Sequence, residues 1–167
     1  SDLTVGDNLT RLTAQLMRAW DRSQVIIATG GLGPTQDDLT REAIAAMLGE
    51  ELVLNQEEAV KIHEFFTRLG RAMTPNNEKQ AMFPPSARPL PNPEGTAPGL
   101  AVIKDGHYLF ALPGVPQEME RLLVQEVLPI LRSALVAEQQ TERFARAGGR
   151  GVVVRFGLFD GPGTGND

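Results

Sequence analysis

Apolar residues recur at helical spacing near the start of the chain. Leu9, Leu12, Leu16 and Trp20 form one stripe with Met17 beside it, and Asp7 or Asn8 can cap its start. Val25-Ile26-Ile27-Ala28 is a short β-branched run without alternation, which predicts a strand buried on both faces, as in a parallel sheet. Thr29-Gly30-Gly31-Leu32-Gly33-Pro34-Thr35 follows at once. A second helix is predicted from about Leu39 to Leu48, with Ile44, Met47 and Leu48 as its stripe, Thr40 as cap and Gly49 as stop. Leu52-Val53-Leu54 is a short connection. A third helix, about Gln56 to Leu69, carries Ile62, Phe65, Phe66 and Leu69 on one side and ends at Gly70.

Residues 71 to 99 break this rhythm, because Pro75, Pro84, Pro85, Pro89, Pro91, Pro93 and Pro98 interrupt regular structure. Only Asn76 to Met82 predicts a short helix, and a loop this long in a compact domain is usually functional or disordered. Leu100 to Lys104 and Tyr108 to Leu112 flank Asp105-Gly106, a hairpin signal. After Leu112-Pro113-Gly114-Val115-Pro116 a long helix is expected, with Met119, Leu122, Leu123, Val127 and Ile130 on its core side. Pro116 suits its first position and Pro129 kinks or ends it. Val152 to Phe159, flanked by glycines, reads either as an edge strand or as disordered. The alternation of strands and helices predicts the α/β class.

Composition narrows the setting. At 167 residues the chain is about one domain. The absence of cysteine removes disulfides, thiolate metal sites and cysteine nucleophiles, and suits a reducing cytoplasm. A net charge of −5 does not attract nucleic acid in bulk. No apolar run approaches the roughly 20 residues of a membrane span, and no charged-then-apolar leader opens the chain.

Chemistry concentrates at the two glycine turns. Gly30, Gly31 and Gly33 lie between a buried strand and a helix, where free N–H groups near a helix start favour an anion such as phosphate, with Thr29 and Thr35 adding hydroxyls. The same glycines also serve a tight turn alone. Asp37 and Asp38 either hold a divalent metal that bridges to phosphate or simply cap the helix. Gly114 opens a second strand-to-helix turn, so two turns at strand carboxyl ends can face one ligand, or Leu112 to Pro116 is merely rigid. Asn76, Asn77, Lys79 and Gln80 offer donors for phosphate, ribose or base edges, or are a solvated short helix. Asn92 to Gly99 reads as a loop that closes on something, or as a connector. His63 and His107 have no third partner at metal-ligand spacing and are assigned to surface or structure. Phe65 and Phe66 are assigned to core or interface, and Ser86 lacks the pattern of a nucleophile.

TGGLGPTQDDLTREAI (29 to 44), MTPNNEKQA (73 to 81), LPNPEGTAPG (90 to 99) and LPGVPQEM (112 to 119) together resemble the N-terminal domain of the competence/damage-inducible CinA proteins. That domain belongs to the wider molybdopterin-binding fold. The resemblance covers about residues 5 to 135. It implies a three-layer α/β sandwich with a mainly parallel sheet and a cleft for a nucleotide or pterin phosphate. It also implies ADP-ribose pyrophosphatase activity dependent on a divalent metal (Mg, Mn or Co), or, failing catalysis, a molybdopterin- or nucleotide-binding module or inactive remnant. By motif, Gly30, Gly31, Gly33 and Thr35 would form the phosphate loop, and Asp38, with Asp37 adjoining, would be the catalytic and metal-supporting acid. Asn76, Asn77, Lys79 and Gln80 fall in the substrate-facing segment, Gly95, Thr96 and Ala97 precede the hairpin, and Gly114 matches the second turn. Family members open with a strand ending in Gly-Asp-Glu, then a helix and a second strand, whereas this chain begins near the end of that second strand, at Thr4 to Asn8. The expected domain is therefore residues 1–137, N-terminally truncated, with 138–167 an unassigned glycine-rich tail. A sheet short of a strand would expose an edge, which predicts a homo-oligomer.

Overall fold

The computed structural model describes residues 2–5, 8–140 and 151–156. In chain order the elements are β1 (Asp2–Val5), α1 (Leu9–Arg22), β2 (Val25–Thr29), α2 (Thr40–Leu48), β3 (Val53–Leu54), α3 (Gln56–Arg68), α4 (Pro75–Glu78), β4 (Met82–Phe83), β5 (Ala87–Leu90), β6 (Gly99–Lys104), β7 (His107–Leu112), α5 (Pro116–Leu122), α6 (Leu128–Gln140) and β8 (Gly151–Phe156). One sheet runs β1-β8-β2-β7-β6-β5. β1, β8, β2 and β7 are mutually parallel, while β6 is antiparallel to both β7 and β5. This is the expected α/β architecture with a parallel-led sheet.

The helices cover both faces. Leu12 and Leu16 of α1 and Ala43 and Ile44 of α2 pack with Ile26, Ala28, Leu100, Val102 and Leu109 in one core. On the other face Leu122 and Val127 meet Phe110, Leu112, Ala101 and Leu90. Full burial of such side chains contributes about 1.5–3 kcal/mol each. β2 and β7 lie between the two layers, which is why both read as nearly continuous apolar runs.

The sequence pattern places most elements correctly. Asn8 caps α1 by accepting from the Arg11 amide. Asp105 (φ 52°) and Gly106 (φ 78°) make the hairpin turn, both in the left-handed region as a two-residue turn requires. Four expectations change. Thr40 does not cap α2 but is its first residue, and its hydroxyl turns back to the Gly30 carbonyl. Leu52 to Leu54 is more than a connection, since β3 pairs with β4 in a second small sheet. The predicted long helix passes from α5 to α6 through a wider π turn over Leu123–Val127, which relaxes the ladder just before Pro129. Finally, the segment expected to be an edge strand or disordered supplies β8, an interior strand hydrogen-bonded on both sides. Residues 157 to 159 of that expectation lie outside the described residues, as does Asp7, the alternative cap for α1.

Candidate functional site

Two strands end side by side. Thr29, last in β2, pairs with Leu112, last in β7, so the chain leaves both at the same edge of the sheet. The Gly30 amide donates to the Leu112 carbonyl at 2.9 Å. The second glycine turn lies against the first: a Cβ on Gly114 would stand 3.2 Å from the Gly30 Cα. The two turns therefore form one surface at the carboxyl ends of the strands, the usual ligand side of an open α/β sheet.

The first two residues of α2 determine how that surface is oriented. The Thr40 hydroxyl donates to the Gly30 carbonyl at 2.7 Å, and the Thr40 amide to the Gly31 carbonyl at 3.2 Å. Arg41 Nη1 donates to the Leu32 carbonyl at 2.8 Å. Three successive carbonyls are thus held from the side of α2. In a trans peptide the N–H points opposite to the carbonyl of the same unit. The N–H groups of Gly31, Leu32 and Gly33 consequently point away from α2. Among the described residues none of these three N–H groups has an acceptor. Positive φ at Gly30 (87°) and Gly31 (68°) permits this path, which a side chain would strain. Successive outward N–H groups make a concave anion seat.

Arg41 is fully buried, and its Nε and Nη2 have no partner; Glu42 Oε2 is similarly buried and unpaired. Burial pushes the guanidinium down to about 10, despite the opposing pull of Glu42 and Asp38.

The residues expected to touch a ligand directly are partly engaged with the protein instead. The Thr35 amide and hydroxyl both donate to Asp38 Oδ2, at 2.9 and 2.7 Å. Asp38 therefore ties the far end of the loop, and its carboxylate lies where a side chain on Gly33 would stand. Asp37 is exposed beside it. Lys79 Nζ donates to the carbonyls of Thr35 and Asp38 and pairs with Glu42 at 3.1 Å. All three ammonium protons are thereby directed at the loop and α2 rather than outward.

Asn77 is buried at the start of α4, where its Oδ1 accepts from the Thr74 amide and hydroxyl. Its amide donates to Gln80 Oε1, and Gln80 donates in turn to the Thr96 hydroxyl at 3.0 Å. Asn76 is exposed on α4 and stands outside this chain of bonds. Gly95 packs against Asn92 and Glu118, and Asn92 donates to both Glu118 and the Ala97 carbonyl. Glu94 pairs with Arg121. The 92–97 loop is therefore clamped to the first turns of α5.

The structure thus gathers Thr29, Gly30, Gly31, Gly33, Thr35, Asp38, Lys79 and Gly114 at one place, with Asn77, Gln80, Thr96 and Gly95 alongside. Sequence reasoning missed Thr40, Arg41, Glu42 and Glu118. One signal was available: Arg41 shares the helical stripe of Ile44 and Leu48, which places a guanidinium toward the core. Among the described residues no three His, Asp or Glu side chains converge on a metal position. Asp38 still fits a share in one, because Oδ1 is not the oxygen bonded to Thr35, and Mg²⁺ commonly takes one or two carboxylates plus substrate phosphates. His107 accepts a structural role, stacked on Trp20 with Nδ1 at the Ser23 carbonyl. Among the described residues no helix is long and apolar enough to cross a membrane.

Residues 2–133 match the family described as "Probable molybdopterin binding domain". A CinA-like protein of Thermomicrobium roseum is 48% identical over 127 residues, 76% of this chain and 31% of the relative. A putative competence-damage inducible protein of Halothermothrix orenii is 46% identical over 129 residues, 77% of this chain and 31% of the relative. The chain thus spans about a third of the length of these curated relatives. A solved structure of CinA from Thermoplasma acidophilum, titled as of unknown function, superposes with a TM-score of 0.68 at 39% identity, covering 74% of this chain and 72% of that one.

Proposed function

This chain belongs to the molybdopterin-binding domain family, alongside CinA-like proteins, and from that premise we propose that its glycine loop binds the diphosphate of a nucleotide or pterin ester and that the domain hydrolyses the pyrophosphate bond. The observation that carries the reading is the outward set of N–H groups at Gly31, Leu32 and Gly33, fixed from behind by Thr40 and Arg41. N–H groups that point away from α2 and have no acceptor in the fold suit an oxyanion. Asp38, with Asp37 beside it, would hold a divalent metal, which when bound neutralises phosphate charge and activates water. Gly114 lines the other side, and Thr29 closes the base. The place of action is the cytoplasm, consistent with a chain free of cysteine. Among the described residues β1 and β5 are the sheet's edge strands, which give a homo-oligomer its simplest contact.

The test is release of AMP from ADP-ribose by the pure protein with Mg²⁺, Mn²⁺ or Co²⁺, run beside calorimetric titration of inorganic pyrophosphate. Metal-dependent AMP release supports hydrolysis. Pyrophosphate binding without turnover leaves a binding module, a reading favoured by the commitment of Asp38 Oδ2 to Thr35. No binding of pyrophosphate overturns the assignment of the loop.

A further inference from the structure

Lys79 opens a single 3₁₀ turn, Lys79–Ala81, that follows α4. The turn is pinned from several sides. Gln80, only 1% exposed, accepts from the Asn77 side-chain amide at 3.3 Å and donates to the Thr96 hydroxyl at 3.0 Å. The Ala81 carbonyl accepts from the amide of Asn55, the cap of α3, at 2.8 Å. From this fixed base the Lys79 side chain crosses to the glycine loop, 44 residues earlier in the chain, where Nζ donates to the Thr35 carbonyl at 2.7 Å and to the Asp38 carbonyl.

The span it reaches is weakly held by its own bonds. Within it the Asp38 amide donates to the Thr35 carbonyl at 3.3 Å, longer than a usual N–H···O bond. The two carbonyl oxygens that share the ammonium carry like partial charges, which the cation between them offsets. Gly33 stands against the Asp38 carboxylate, so a shift of this span carries to the last N–H of the anion seat. The charge of Lys79 is itself matched by Glu42 at 3.1 Å, and its three ammonium protons meet three acceptors. Neither a free donor nor an unmatched charge is left for a phosphate.

We propose that Lys79 is a positioning residue for the glycine loop: it holds the span from Thr35 to Asp38, and through it the Gly33 N–H, without touching the ligand. The inference rests on the diphosphate reading of that loop. A lysine that met the phosphate would add a charge–charge attraction that salt weakens, whereas one that acts through backbone geometry has an effect that salt leaves alone. Arginine separates the two roles a second time. Its planar fork suits phosphate at least as well as an ammonium does, but it is a poor substitute for a compact cation set between two carbonyls.

The experiment titrates wild type, Lys79→Met and Lys79→Arg with inorganic pyrophosphate by calorimetry at low and at high salt, and records ¹⁵N spectra and amide hydrogen exchange of the three proteins without ligand. Lys79→Met is expected to bind pyrophosphate roughly tenfold more weakly, the worth of about one hydrogen bond, by the same factor at both salt concentrations. Lys79→Arg should fall between it and wild type. Without ligand, the Asp38 amide of Lys79→Met should exchange faster and the Gly33 resonance should move. A loss that shrinks at high salt, or Lys79→Arg binding as tightly as wild type or tighter, overturns the proposal. If Lys79→Met fails to fold, Lys79→Arg decides by the same criteria. If wild type binds no pyrophosphate, the diphosphate reading fails on its own account; the ligand-free spectra still judge Lys79, since moved Gly33 and Asp38 amides uphold its grip on the loop and unmoved ones overturn it.

Discussion

Arg41 donates to the Leu32 carbonyl at 2.8 Å from a position with no solvent exposure, and its two other donor nitrogens have no partner. A guanidinium held this way contributes little to stability, because burial disfavours its charged form and pushes it down to about 10. What it supplies is orientation, because anchoring the Leu32 carbonyl sends the Gly33 N–H outward.

Arg41→Met removes a costly buried charge and also strips the Leu32 carbonyl of its donor, a loss of about 1–3 kcal/mol. The two changes offset, so the thermal midpoint should move by only a few degrees. Pyrophosphate affinity should fall roughly tenfold or more, the worth of one charge-assisted hydrogen bond. Arg41→Lys keeps a donor and should recover part of it. Calorimetry beside thermal melts checks both, and a large stability loss without an affinity loss would sink the account.

Gly31→Ala acts through the protein rather than by crowding the ligand. Its Cβ would be built into the Thr40 hydroxyl, at a φ of 68° that costs a side chain about 1–2 kcal/mol. Stability and pyrophosphate affinity should fall together. Adding Thr40→Ala relieves the clash, so the double variant should be more stable than the sum of the singles predicts. Denaturant titration of the four proteins measures the coupling.

Asp38→Asn separates two roles. An amide oxygen can still accept from the Thr35 amide and hydroxyl, so pyrophosphate binding should persist within a few-fold. A metal loses its carboxylate, so AMP release should drop by more than tenfold. Turnover that survives would reduce Asp38 to a tie for Thr35.

Acid stability offers a control away from the site. The Ser86 hydroxyl and amide hold the Glu50 carboxyl below its ordinary 4.5. A depressed carboxyl stabilises the fold above its unfolded value, and that contribution is lost as pH falls through the folded value. Ser86→Ala should therefore be less stable than wild type near neutral pH, with the difference vanishing in acid. Because Glu50 lies at the surface the effect should be small. A difference that grows in acid would reverse the sign.

Local rules made much of this molecule legible. The stripe of Leu12 and Leu16, the run of Val25 to Ala28 and the Asp105-Gly106 turn each carry their structure within a few residues. The motifs around Gly30 and Gly114 also marked the two turns that lie together. Long-range choices were less visible. Nothing in the order of Gly151 to Phe156 says that it will pair between β1 and β2, because that depends on which sheet position stands open. Thr35, Asn77 and Lys79 looked like ligand donors because their polar groups are exposed on paper. In the fold Asp38, Gln80 and the loop carbonyls satisfy them first. Sequence chemistry names donors well, but the partner that reaches each one first is set by tertiary distance.

The central claim, that Gly31, Leu32 and Gly33 present their N–H groups to an oxyanion, is tested most directly by titrating ¹⁵N-labelled protein with inorganic pyrophosphate and following backbone amide resonances. The account predicts the largest downfield shifts at Gly31, Leu32 and Gly33, with smaller changes at Gly114. Shifts confined to surface cations such as Lys61, Arg68 or Arg121, with the loop amides unmoved, would contradict it.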